Sequence, residues 1–175
     1  MAAAYSTALD HQRVSAGTRH VPGTGAGRVS VRAARAAAAG GALVVSSVTV
    51  IGVGIDLIDL ERVRSLLARK GEQAMTRFFS DGERDYLATR PDATGHAAAR
   101  IAAKEAVYKA MQSLHGARAI GWREIEVSRD GEGKPAIALH GLAARLSHQS
   151  GGLRIQVSLT HSATSAGAIA IVEAP

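Results

Sequence analysis

Two short segments hold the residues of this chain best suited to chemistry. The first is Ala98-Ala99-Arg100-Ile101-Ala102-Ala103-Lys104-Glu105-Ala106-Val107-Tyr108-Lys109-Ala110, where one carboxylate sits among three cations and most other positions are small or apolar. A helix of this composition lets an anionic ligand approach closely. The second is Val53-Gly54-Ile55-Asp56-Leu57, where a lone Asp ends an apolar, strand-like run. Two carboxylates on separate elements, with cations beside one of them, suit a magnesium–phosphate site. Mg²⁺ takes one or two protein carboxylates and leaves its other positions to water and substrate phosphates. Each residue also has an ordinary structural account. Asp56 could be a capping residue, and Glu105 stands four residues before Lys109, a surface pairing worth only ~0.2–0.5 kcal/mol.

The elements that must position these groups follow from periodicity and punctuation. Residues 48–54 are β-branched and glycine-punctuated, which predicts a buried strand ending near Asp56. Asp59 is a candidate N-cap for a helix over 60–70, with Glu61 in its first turn and Arg69 and Lys70 in its last, before Gly71. Further helical turns are expected over 72–79 and 82–89, where Ser80 or Asp81 could cap the second. Pro91 and Asp92 mark a loop, and the longest helix runs from about 95 to 114. The period then changes to strand–turn–strand over 125–139, followed by a short helix at 142–149 and closing strands at 153–160 and 166–172. The fold class is α+β: one domain with an N-terminal strand, then helices, then antiparallel strands.

Composition narrows the function classes. The chain has 175 residues, 46% hydrophobic and 21% charged, enough for one domain with a real core. No run approaches the ~18–20 apolar residues of a membrane span. The absence of cysteine excludes disulfides and thiolate metal sites, and fits a cytoplasmic location. Aromatic residues make up 3%, which argues against stacking platforms for single-stranded nucleic acid. The net charge of +6 is concentrated upstream, because residues 1–47 carry Arg13, Arg19, Arg28, Arg32 and Arg35 against Asp10 alone. The remainder is nearly balanced, so no nucleic-acid or membrane partner is expected for it. Residues 1–47 are rich in Ala, Gly, Ser and Thr and show no core-forming period, so they are expected to be a disordered leader, with the domain at 48–175. The leader superficially matches a transit peptide and is poor as a secretory signal. A start assigned too far upstream, with Val44, Val45 or Val48 as alternative initiation sites, accounts for it more simply.

Four motifs stand in order: Gly52-Val53-Gly54-Ile55-Asp56-Leu57; Arg100-x-Ala-Ala-Lys104-Glu105-Ala-x-x-Lys109-Ala; Gly133-Lys134-Pro135; and Ser158-Leu159-Thr160-His161-Ser162. Together, from about residue 48 to 173, they resemble the small bacterial holo-acyl-carrier-protein synthases, which are 4′-phosphopantetheinyl transferases. The one departure noted is Ile101, where the family more often has Phe.

The resemblance implies a function and a set of roles. The 4′-phosphopantetheine group of coenzyme A would be transferred to a serine of an apo acyl carrier protein, and carriers of fatty-acid and polyketide assembly both fit. Asp56 and Glu105 would hold Mg²⁺ together with the coenzyme pyrophosphate. Lys109 would face the pyrophosphate, and Lys104 and Arg100 would add phosphate contacts. His161 would lie beside the 3′-phosphate and adenosine, with Lys134 and Pro135 bordering the adenine pocket. Arg62, with Arg69 on the same helix face, would dock the acidic carrier protein. Glu105 or a metal-bound water would take the serine proton. The family's assembly implies a homotrimer with coenzyme A between subunits. Two other readings remain on residue grounds: a non-catalytic coenzyme A or nucleotide-binding module, and a nucleic-acid-binding protein acting through the basic leader.

Overall fold

The computed structural model describes residues 48–175; the expected leader and its alternative starts at Val44 and Val45 lie outside the described residues. The architecture is α+β. Strand β1 (Thr49–Asp59) leads into helix α1 (Leu60–Phe78), then α2 (Asp81–Ala88) and the long α3 (Ala93–Ala110). A hairpin of β2 (Ile125–Arg129) and β3 (Pro135–Leu139) precedes α4 (Gly141–Gln149), β4 (Arg154–His161) and β5 (Ser165–Ala174). The three-stranded antiparallel sheet has the order β1-β5-β4, and the hairpin forms its own two-stranded sheet.

Helix α3 lies against the inner face of the large sheet, and alanine makes that possible. Ala97, Ala98, Ala99, Ala102, Ala103, Ala106 and Ala110 are all buried. Opposite them, β1 carries Gly52 and Gly54. A Cβ at either position would come within 1.9 Å of the carbonyl oxygen of Ala110 or Ala106, so strand and helix meet backbone to backbone.

Two expectations for β1 are corrected. The strand runs on to Asp59, so Asp56 is an interior residue, in register with Ala168 of β5. Nor is the strand buried on both faces. Side chains alternate along a strand, and here the small or polar Gly52, Gly54 and Asp56 face inward because α3 leaves no room for more. Val53, Ile55 and Leu57 therefore point outward and are 59–74% exposed.

The helix caps follow local chemistry. Asp59 accepts the Arg62 amide at 3.1 Å, as its position suggested. The two helical pieces expected around Gly71 form one element with a break there, at φ 44° and ψ −125°, a conformation only glycine adopts readily. Of the two candidate caps for α2, Ser80 is the one used: its hydroxyl accepts the Glu83 amide while the Glu83 carboxylate accepts the Ser80 amide. Helix α3 starts just after Asp92, whose side chain accepts the Thr94 amide, and gives way after Ala110 to a 3₁₀ turn over Met111–Ser113.

Candidate active site

The inward alternation of β1 and the 3.6-residue period of α3 bring Asp56, Glu105 and Lys109 together. Lys109 Nζ donates to Asp56 Oδ1 at 2.7 Å and to the Ile55 carbonyl at 3.0 Å. Glu105 lies one turn earlier on the same helix face. Its carboxyl is pushed above the ordinary range, first by burial and then by the negative charge of Asp56, with Lys109 opposing. A carboxyl whose ionisation is opposed by burial and by a neighbouring carboxylate, with one ammonium seated on that neighbour, marks a site short of positive charge. Among the described residues no group of three or more His, Cys, Asp or Glu is placed to hold a metal ion. A two-carboxylate, all-oxygen donor set nevertheless fits Mg²⁺, which needs few protein ligands.

Lys104 requires a correction. The expected phosphate ligand is wholly buried on the far side of α3. Its ammonium meets Glu83 Oε2 at 2.6 Å and donates to the carbonyls of Phe78 at 2.7 Å and Trp122 at 3.0 Å. Those partners use all three of its donors, so none is left for a ligand. Burial pulls its pKa down while Glu83 holds it up.

Arg100 and His161 belong to a second cluster, centred on Tyr86. The Arg100 guanidinium stacks 3.9 Å from the Tyr86 ring centroid, with Arg90 at 4.2 Å and Arg129 at 5.0 Å. Arg129 also donates to the Tyr86 hydroxyl at 2.8 Å. The His96 ring meets Tyr86 edge-on at 5.7 Å and lies 6.1 Å from His161. Burial, then the charges of Arg100, Arg90 and His161, push the His96 pKa down. Arg100 Nε is buried without a hydrogen-bond partner. The sequence reading missed Tyr86, Arg90, His96 and Arg129. Only His96/Arg100, four apart on α3, gave a local signal.

Of the remaining candidates, Pro135 stands opposite Arg129 of the Tyr86 cluster across the β2–β3 hairpin. Lys134 pairs with Glu132 at 2.6 Å in the hairpin turn, where Pro135 opens β3. Arg62 and Arg69 line a groove of about 330 Å³ along α1, walled also by Lys70 and Arg77 and floored by Val63, Leu66, Ala74, Phe78 and Trp122. Cationic walls over an apolar floor suit the amphipathic surface of an acidic protein.

Residues 52–164 match the 4′-phosphopantetheinyl transferase superfamily. The chain belongs to that family. It is 37% identical over 126 residues to a holo-[acyl-carrier-protein] synthase of Desulforudis audaxviator, covering 72% of this chain and 95% of the relative. It is 42% identical over 110 residues to one from Gloeobacter violaceus, covering 62% and 82%. Among solved structures, the ACPS–CoA complex of Chronobacterium ammoniagenes superposes with a TM-score of 0.62 at 31% identity, over 74% of this chain and 98% of that one. The holo-(acyl-carrier-protein) synthase of Bacillus anthracis with CoA (3′,5′-ADP) gives 0.57 at 28% identity, over 72% and 98%. The α+β architecture of this phosphopantetheinyl transferase is thus shared along almost the whole length of those relatives.

Proposed function

We propose that this transferase moves the 4′-phosphopantetheine group of coenzyme A to a serine of an apo acyl carrier protein, releasing adenosine 3′,5′-bisphosphate. The convergence of Asp56, Glu105 and Lys109 at the β1–α3 contact carries the reading. Asp56 and Glu105 are the carboxylates to hold Mg²⁺, which supplies charge neutralisation of a pyrophosphate when bound. Lys109, already seated on Asp56, provides a positive charge for the leaving phosphate oxygen. The Tyr86 cluster of Arg90, Arg100, Arg129, His96 and His161 is the place for the coenzyme's remaining phosphate. Guanidinium donors match phosphate oxygens in a rigid fork. The α1 groove with Arg62 and Arg69 receives the carrier protein. No helix among the described residues is long and apolar enough to cross a membrane, and the chain has no cysteine, which supports a cytoplasmic enzyme.

A homotrimer completes the proposal. Its support is the outer face of β1 and β5, where Val53, Ile55 and Leu57 stand beside Ile169, paired in register with Ile55. An apolar face of this kind on an edge strand invites a partner, and one heterologous contact repeated head to tail closes a ring. In that ring the hairpin residues 133–135 close a neighbour's adenosine pocket. Light scattering is expected to give a trimer, and Ile55→Lys to dissociate it; a fully active monomer would remove this part of the proposal. The deciding experiment for the transfer itself is mass spectrometry of an apo carrier protein incubated with the enzyme and coenzyme A. A gain of one phosphopantetheine, abolished by EDTA and restored by Mg²⁺, is expected. Coenzyme A binding without mass gain would point to the non-catalytic module instead.

A further inference from the structure

We propose that Glu83 and Lys104 are positioning residues that set the rotation of α3, and with it the distance between Glu105 and Asp56; this rests on the metal-site reading above. Packing against β1 leaves that rotation weakly defined. The contact face of α3 is alanine against glycine, which fixes how close helix and strand come but offers few protruding side chains to resist turning. A turn of ~10° moves a carboxylate ~6 Å from a helix axis by about 1 Å, beyond the ~0.5 Å tolerance of a working site.

Lys104 adds a directional restraint to the apolar packing of Ile101, Val107 and Tyr108 of α3. It directly precedes Glu105, about 100° away around the helix, and its ammonium is held from three directions, by Glu83 and the Phe78 and Trp122 carbonyls. Phe78 is the last residue of α1, so its carbonyl is one that the helix itself leaves unpaired. Glu83 is itself anchored, because Oε2 accepts the Ser80 amide at 2.9 Å and Oε1 the Val127 amide at 3.0 Å. The end of α1, the start of α2, the Trp122 turn and β2 therefore all fix one atom of α3. A fully satisfied buried polar network restrains direction in a way apolar packing does not. Stability alone explains it poorly, since apolar replacements of a buried ion pair are often no less stable.

The test uses the full chain with coenzyme A present and Mn²⁺ as the probe, its free concentration followed by electron paramagnetic resonance well below the melting temperature. Two variants are compared with the unchanged protein: Glu83→Gln combined with Lys104→Met, which removes both charges, and Glu83→Asp, which keeps the charge but shortens its reach. In each folded variant the Mn²⁺ dissociation constant should rise about tenfold, the usual scale for groups that orient metal ligands, and kcat should fall with it. Unchanged Mn²⁺ affinity and kcat in a folded variant would overturn the positioning role. So would failure of both variants to fold, which would assign the pair to stability. If the unchanged protein neither binds Mn²⁺ nor transfers the group, the functional reading falls first, a distinct outcome.

Discussion

Helix α3 carries two acid–lysine pairs of almost the same length and opposite character. Asp56–Lys109 spans 2.7 Å with its side chains 18% and 48% exposed, whereas Glu83–Lys104 spans 2.6 Å with both at 0%. The lysines are five positions apart, about 140° around the helix, so one faces the sheet edge and the other the core. The buried pair has every donor answered and no capacity for a ligand. In the exposed cluster, Glu105 remains held above its ordinary pKa beside Asp56. Acid–lysine pairs of similar chemistry thus sit on two sides of one helix, one sealed from any ligand and the other, in the function proposed above, open to one; solvent access makes the difference.

Stability should separate the pairs most strongly. Glu83→Ala leaves a buried ammonium unpaired and is expected to cost about 3–5 kcal/mol. Asp56→Ala, at a partly solvated pair, should change stability by no more than ~1 kcal/mol. Urea unfolding of the two variants checks this, and equal losses would erase the distinction between the pairs.

Activity should invert the order. Asp56→Ala and Glu105→Ala are expected to end transfer and to weaken Mg²⁺-dependent coenzyme A binding while leaving a folded protein. Lys109→Ala should lower kcat by about 10²-fold, the scale of losing one charge-stabilising donor, with little change in melting temperature. Near-full activity with either carboxylate gone would break the site.

That contrast also marks what the sequence could and could not reveal. The element order was legible from periodicity and the cap Asp59 from residue type, while the choice between Ser80 and Asp81 was left to the structure. The spacing of Glu105 and Lys109 was legible as one turn of a helix, whereas the family resemblance, and not any local rule, joined Asp56 to them. Lys104 was misread because its partner Glu83 comes from another helix and its acceptors are backbone carbonyls, which leave no mark in composition. Strand β1 was read as a buried strand, and its exposed outer face was missed because an apolar run looks the same whether or not that face meets a core. The Tyr86 cluster joins α2, α3 and β2, with His161 of β4 beside it, and no spacing in one segment predicts such a meeting.

The smallest expected effect sharpens the comparison through pH. A carboxyl whose folded pKa is raised is protonated in both states below its unfolded pKa and there adds nothing to stability. As pH climbs from the unfolded pKa toward the raised folded one, the unfolded chain ionises first, and the folded state loses stability; above the folded pKa the penalty is constant. Glu105 therefore weakens the metal-free protein from the ordinary carboxylate range upward, through burial and the charge of Asp56. Glu105→Gln should raise the melting temperature of the metal-free protein at neutral pH, while at pH 4 the two proteins should melt together. Mg²⁺ with coenzyme A should stabilise the unchanged protein more at pH 7 than at pH 5, since the ligand requires the ionised carboxylate, and that pH-dependent gain should vanish in Glu105→Gln. Scanning calorimetry across pH 4–8 measures both. A neutral-pH melting temperature lowered by Glu105→Gln would show that Glu105, like Glu83, is held by its surroundings, and would place both acids on the architectural side of the helix.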